Sequence, residues 1–182
     1  MITPRELKEL YKQGENISAW LRREEGVAHN TREIIEVAYD LQSGSYVSAM
    51  DDPTISAHKR EYAIEISKLI RSLCEPESIL EAGVGEATTL SGVVKALGST
   101  VASYGFDLSW SRVAVAREWL ENQDVQNTVL CTGDLLNAPF ASNSIDVVYT
   151  SHSIEPNGGS EEAILRELYR VAKRYLVLLE PG

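Results

Sequence analysis

Ser78-Ile79-Leu80-Glu81-Ala82-Gly83-Val84-Gly85-Glu86-Ala87-Thr88-Thr89-Leu90 is an apolar strand that ends in a carboxylate, then a glycine pair, then the start of an amphipathic helix. Strand, tight turn and helix in succession are the unit from which a parallel sheet is built, with its ligand edge at the C-terminal ends of the strands. Glycines at 83 and 85 let the backbone turn sharply and approach a ligand where a Cβ would clash. The helix that follows aims free N–H groups at the same point. A plain tight turn has the same local signature, so the surrounding elements must decide.

They repeat the pattern. Val101-Ala102-Ser103-Tyr104-Gly105-Phe106-Asp107 reads as a second strand ending in an acid, close to the spacing of roughly 20 residues at which ribose hydroxyls are bound. Asp107 is then the ribose ligand, and it also suits the N-terminus of the helix opening at Ser109-Trp110-Ser111. Thr128-Val129-Leu130-Cys131-Thr132 is a third strand, followed by Gly133-Asp134-Leu135. The carboxylate of Asp134 can accept from an adenine amine while Leu135 packs on the ring. The fourth strand, Ser144 to Thr150, leads into Ser151-His152.

Glu81 selects among ligands. A dinucleotide fingerprint wants a third glycine where this chain has Thr88, and it does not place a carboxylate against a pyrophosphate. A ligand with cationic groups, such as the sulfonium and ammonium of S-adenosylmethionine, is attracted by an acid at the strand end.

From about Glu77 to Gly182 these residues resemble the Rossmann-like (class I) S-adenosylmethionine-dependent methyltransferase superfamily. Glu81-Ala82-Gly83-Val84-Gly85 matches its first glycine-rich motif, with Ala87 where many members have a third glycine. Asp107 matches its ribose-binding acid, and Gly133-Asp134-Leu135 with Pro139-Phe140 its adenine loop. Asn143 to Val148 matches the strand after that loop, and Ala163 to Val171 the helix before strand five. The resemblance implies a cofactor site of Tyr46, Glu81, Ala82, Gly83, Gly85, Asp107, Leu108, Gly133, Asp134, Leu135 and Ser151, with S-adenosyl-L-methionine as cofactor. The tetrapeptide of Asp or Asn, two prolines and an aromatic that marks amino-methyltransferases is absent, which removes one support for an adenine or glutamine acceptor.

The expected fold is α/β and doubly wound. Strands at about 78–82, 101–107, 127–132, 144–150 and 174–180, with intervening helices, give a mostly parallel sheet in the order 3-2-1-4-5. Strands six and seven of the superfamily are missing from the sequence. Tyr175 to Leu179 would then be a bare edge, covered by N-terminal helices, paired with a second copy in a homodimer, or completed by a further segment. Residues 76–182 form the cofactor-binding domain, and 1–75 a helical segment packed on it.

That segment opens with a capping box, Thr3-Pro4-Arg5-Glu6, and a second helix start at Asn30-Thr31-Arg32-Glu33. Its apolar stripes are expected to be core contacts with the sheet domain. Tyr39 to Tyr46, broken by Gly44, is the candidate lid or, alternatively, simple helix termination.

Methyl transfer from a sulfonium depends largely on positioning and exclusion of water, so a base is optional. His152, just past strand four, is the candidate catalytic residue; the alternative is that His152 and Glu155 only shape a loop.

The chain has 182 residues, 43% of them hydrophobic, enough for one globular unit with a sizeable core. Its 27 acidic against 17 basic residues give a net charge of −10, which disfavours nucleic acid and anionic membranes as partners. Cys74 and Cys131 lack metal-ligand spacing, so no metal is expected and both thiols should be reduced. Without a signal or membrane-spanning segment the expected location is cytoplasmic. Three functions are consistent with these residues: a methyltransferase acting on a small or conjugated metabolite, a cofactor-binding module without activity, and a nicotinamide-dependent oxidoreductase.

Overall fold

A computed structural model describes residues 2–181. The central sheet has the strands β1 (Ser78–Ala82), β2 (Ala102–Asp107), β3 (Thr128–Thr132), β4 (Ile145–Ser151) and β5 (Ala172–Leu179). All neighbours pair in parallel, in the order β3-β2-β1-β4-β5, as expected. The order reverses between β1 and β4, so a crevice opens beyond the C-terminal ends of the strands beside β1.

Helices α1 (Pro4–Lys12), α2 (Ile17–Glu25), α3 (Arg32–Gln42), α4 (Ser45–Ala49) and α5 (Pro53–Leu73) precede the sheet. Then α6 (Thr88–Leu97) joins β1 to β2, α7 (Trp110–Asn122) joins β2 to β3, and α8 (Glu161–Val171) joins β4 to β5. Their starts follow capping chemistry. Thr3 closes the capping box with Glu6, and Thr31, Asp52 and Ser109 accept from first-turn N–H groups.

Alternation along the strands divides the core into two layers. Ile79, Val147, Tyr149 and Val177 face α5, α6 and α7, meeting Ile66, Ile70, Leu90 and Val113. Leu80, Phe106 and Val148 face the other way, onto Ile164 and Leu168 of α8.

Two expectations need correction. No helix joins β3 to β4. Residues 133–144 cross over as a loop with one bridge between Asp134 and Asn137, and Ala138 and Phe140 pack into the α8 layer where a helix would otherwise lie. Nor do all the N-terminal stripes pack on the sheet. Leu7, Ile17, Leu21, Ile34 and Ala38 bury against one another, and only α5 joins the sheet's core. Three short amphipathic helices with facing stripes satisfy each other before they need the sheet. These helices also leave β5 open: Tyr175 is 37% and Leu178 45% exposed.

Candidate active site

Glu81 is the penultimate residue of β1, and parallel register sets it beside Tyr149 of β4. The two side chains share a face, and the Tyr149 hydroxyl donates to Glu81 Oε2 at 3.0 Å. Glu81 is 2% exposed. Burial pushes its carboxyl up to about 8, against the weaker opposing pull of the Tyr149 hydrogen bond and of Lys59. Burial and the Glu81 charge together push the Tyr149 phenol well above its ordinary value.

Asp107 closes β2. Its carboxylate accepts from the Gly85 N–H and the Ser109 N–H, each at 2.9 Å, so it stitches the glycine loop to the start of α7. Burial raises its pKa, opposed by these hydrogen bonds and by Arg112. Asp134 holds its own turn through the Leu136 N–H at 2.9 Å and lies 3.5 Å from Arg32.

The glycines have separate reasons. Gly83 has φ +74, and a Cβ there would lie 2.3 Å from the Ser153 Cβ, so the loop after β4 packs directly on it. The close approach expected of a ligand is made by the protein itself. Ala87, in the third-glycine position, caps α6 in the left-handed region at φ 57, where glycine has no steric cost.

Two adjoining cavities lie over these strand ends. One, of about 60 Å³, is lined by Asp107, Leu108, Gly133, Asp134 and Leu135 with Ile35 and Tyr39 above. The other, of about 290 Å³, is lined by Tyr46, Glu81, Gly85, Ser151, Lys59 and Thr89. Gly83, Tyr39, Arg112 and His152 border both. The first is far below the roughly 300–1,000 Å³ of small-molecule sites. Every expected site residue except Ala82 borders one of these cavities. Ala82 is buried beneath, and its carbonyl accepts from Ser153 Oγ at 2.9 Å.

His152 has φ 54, a left-handed backbone that a non-glycine residue adopts at a cost, and it is exposed at the cavity junction. Its ring centroid is 6.4 Å from that of Tyr62, whose hydroxyl is 3.2 Å from Ser151 Oγ.

The candidate lid is tied to the glycine loop. Both oxygens of Glu86 accept from the strap, from the Gly44 N–H and the Val47 N–H at 2.8 Å each, and Asp40 accepts from Ser109 Oγ. Sequence reasoning missed Glu86 and Arg112. The signal for Arg112 was present: it shares the α7 stripe with the buried Ala116 and Leu120, a charge where the helical period calls for an apolar residue.

Comparison with known proteins agrees with this fold. The family model described as "Methyltransferase domain" matches residues 79–174, more than half of the chain. The chain belongs to this methyltransferase family, within the class I S-adenosylmethionine-dependent superfamily. A demethylmenaquinone methyltransferase of Geobacillus sp. (strain WCH70) is 28% identical over 94 residues, covering 52% of this chain and 40% of that protein. One from Listeria monocytogenes serovar 1/2a is 29% identical over 109 residues, covering 60% of this chain and 45% of the relative. The chain thus spans less than half the length of these curated relatives. Among solved structures, an S-adenosylmethionine-dependent methyltransferase from Aquifex aeolicus superposes with a TM-score of 0.59 at 22% identity, over 73% of this chain and 70% of its own. At that identity the likeness speaks for the fold alone. Among the described residues, no helix is long and apolar enough to cross a membrane.

Proposed function

We propose that this protein transfers a methyl group from S-adenosylmethionine to a small or conjugated metabolite, with the cofactor in the adjoining cavities over β1 and β2. The observation that carries this reading is the placement of Glu81 and Asp107 at the ends of the adjacent strands β1 and β2, flanking the glycine loop and bordering adjoining cavities.

The donor set fits that cofactor. Glu81 has a carboxyl at the cavity with Tyr149 as its side-chain donor, suited to a cationic group. Asp107 would hold ribose hydroxyls, and Asp134 with Leu108 and Leu135 an adenine. Gly83, Gly85 and Gly133 line the walls. The cofactor supplies an electrophilic methyl on a sulfonium. The chain's part is to exclude water with the strap from Tyr39 to Tyr46, and to orient the acceptor at the junction bordered by His152. His152 has no hydrogen-bonded side-chain partner among the described residues, which leaves its ring free to orient an acceptor or take its proton. Pairing with a second copy through the β5 edge, and a cytoplasmic location, belong to the same proposal.

Calorimetry with S-adenosylmethionine, S-adenosylhomocysteine and NAD tests the cofactor. Tighter binding of NAD than of either adenosyl ligand would defeat the proposal. A methylation screen against metabolite pools, with demethylmenaquinone included because the curated relatives are named for it, tests the acceptor class.

A further inference from the structure

Arg112 is 6% exposed on the inner stripe of α7. Its guanidinium carbon lies against two tyrosines of the strap, 4.5 Å from the Tyr39 ring centroid and 4.7 Å from that of Tyr46. Its Nε and Nη2 are buried without a hydrogen-bond partner. The nearest carboxylate oxygen, Glu86 Oε1, is 3.9 Å from Nε, beyond hydrogen-bond reach, and Glu86 is already committed to the Gly44 and Val47 N–H groups. Nη1 lies over the glycine loop, 3.6 Å from where a Cβ on Gly85 would stand.

A buried guanidinium with unmet donors is costly, and the two tyrosine rings offset this only through cation–π attraction, which satisfies no N–H. What contact with two rings does supply is restraint of the side chain. A planar fork fixed in direction suits two-point acceptance by a carboxylate or a phosphate. Glu81, Glu86 and Asp107 all stand close by, which favours a monoanion over a dianionic phosphate.

We propose that Arg112 is the anion-binding residue of this site and takes a ligand carboxylate at the junction of the two cavities. The carboxylate belongs either to the amino-acid end of the cofactor or to the methyl acceptor. The proposal rests on the cofactor reading above and adds the residue and the charge class it selects.

The test is calorimetry on the full chain and its Arg112→Gln and Arg112→Lys variants, with unliganded melting curves confirming that each is folded. The ligands are S-adenosylhomocysteine and 5′-methylthioadenosine, which lacks the amino-acid end. If the cofactor supplies the carboxylate, Arg112→Gln loses about ten- to a hundredfold in affinity for S-adenosylhomocysteine and keeps its affinity for 5′-methylthioadenosine, while Arg112→Lys shows a smaller loss of the same selectivity. If the acceptor supplies it, both nucleosides bind all three proteins alike, and benzoate titrated into S-adenosylhomocysteine-saturated protein binds the wild type but not Arg112→Gln. Equal weakening of both nucleosides shows Arg112 to be a brace for the strap and overturns the proposal. So does unaltered nucleoside binding with no Arg112-dependent binding of benzoate. If Arg112→Gln does not fold, Arg112→Lys decides: a selective loss supports the proposal and unaltered binding of all three probes overturns it. Failure of wild-type protein to bind either nucleoside removes the cofactor reading itself, and this proposal with it.

Discussion

Raising the pH from 6 to 9 should tighten the binding of S-adenosylmethionine, and Glu81 is the reason. Burial sets its carboxyl at about 8 in the unliganded protein, so near neutrality it is mostly protonated and hydrogen-bonded to Tyr149. A sulfonium and an ammonium group need it ionised. Apparent affinity scales with the binding-competent fraction, which at pH 6 is about one in a hundred and at pH 9 about nine in ten. Affinity should therefore rise roughly tenfold per pH unit up to 8 and then level off, with proton release on binding. The same proton acts on stability in the opposite direction. Between about 4.5 and about 8 the folded protein holds a proton that the unfolded chain has lost, so unliganded stability falls as pH rises, by up to ~1.4 kcal/mol per unit. Glu81→Gln keeps an acceptor for Tyr149 and removes the titration, so it should flatten both profiles. Calorimetry in buffers of different ionisation enthalpy, with melting curves across the same range, measures both. A wild-type affinity that stays constant from pH 6 to 9 with no proton release would refute the reasoning.

Asp107→Ala should weaken cofactor binding by about 1.5–3 kcal/mol, ten- to a hundredfold, since it also strands the Gly85 and Ser109 N–H groups; unchanged affinity in a folded variant would remove Asp107 from the site. Gly83→Ala meets both a φ of +74 and the Ser153 Cβ at 2.3 Å, so it should lower unfolding free energy by more than ~2 kcal/mol in denaturant titration; wild-type stability would show that the loop after β4 yields freely. His152→Ala should lower turnover and leave cofactor affinity nearly intact, and full turnover on the true acceptor would return His152 to a loop-shaping role.

The sheet was legible because its strands are short apolar runs closed by Glu81, Asp107 and a Gly-Asp turn, and because the superfamily motif fixes their order. What the sequence concealed were relations between distant segments. Nothing local to 133–144 says that Ala138 and Phe140 fill a layer in place of a helix. The stripe through Leu7, Ile17 and Ile34 has the same period whether it faces a sheet or its neighbours. Strand five was expected at about 174–180, and β5 runs from Ala172 to Leu179, directly out of α8. At the site, the acids announced themselves by position. Glu86 acquires meaning only when the strap, far away in sequence, folds over it, whereas Arg112 already stood out as a charge on the apolar stripe of α7.

The loop after β4 is sewn on two sides. Ser153 Oγ binds the Ala82 carbonyl of β1, and the two oxygens of Glu180, just past β5, take the Ser153 N–H at 3.1 Å and the Ile154 N–H at 3.2 Å. Residues 152–154 therefore ride with three strands at once and cannot drift independently of the glycine loop. Any adaptation of this scaffold to a new acceptor would leave that seam alone. Variation would fall instead on Glu155 to Gly159 and on the α2–α3 connection that touches it through Asn30 and Pro156, where a change of shape disturbs no strand.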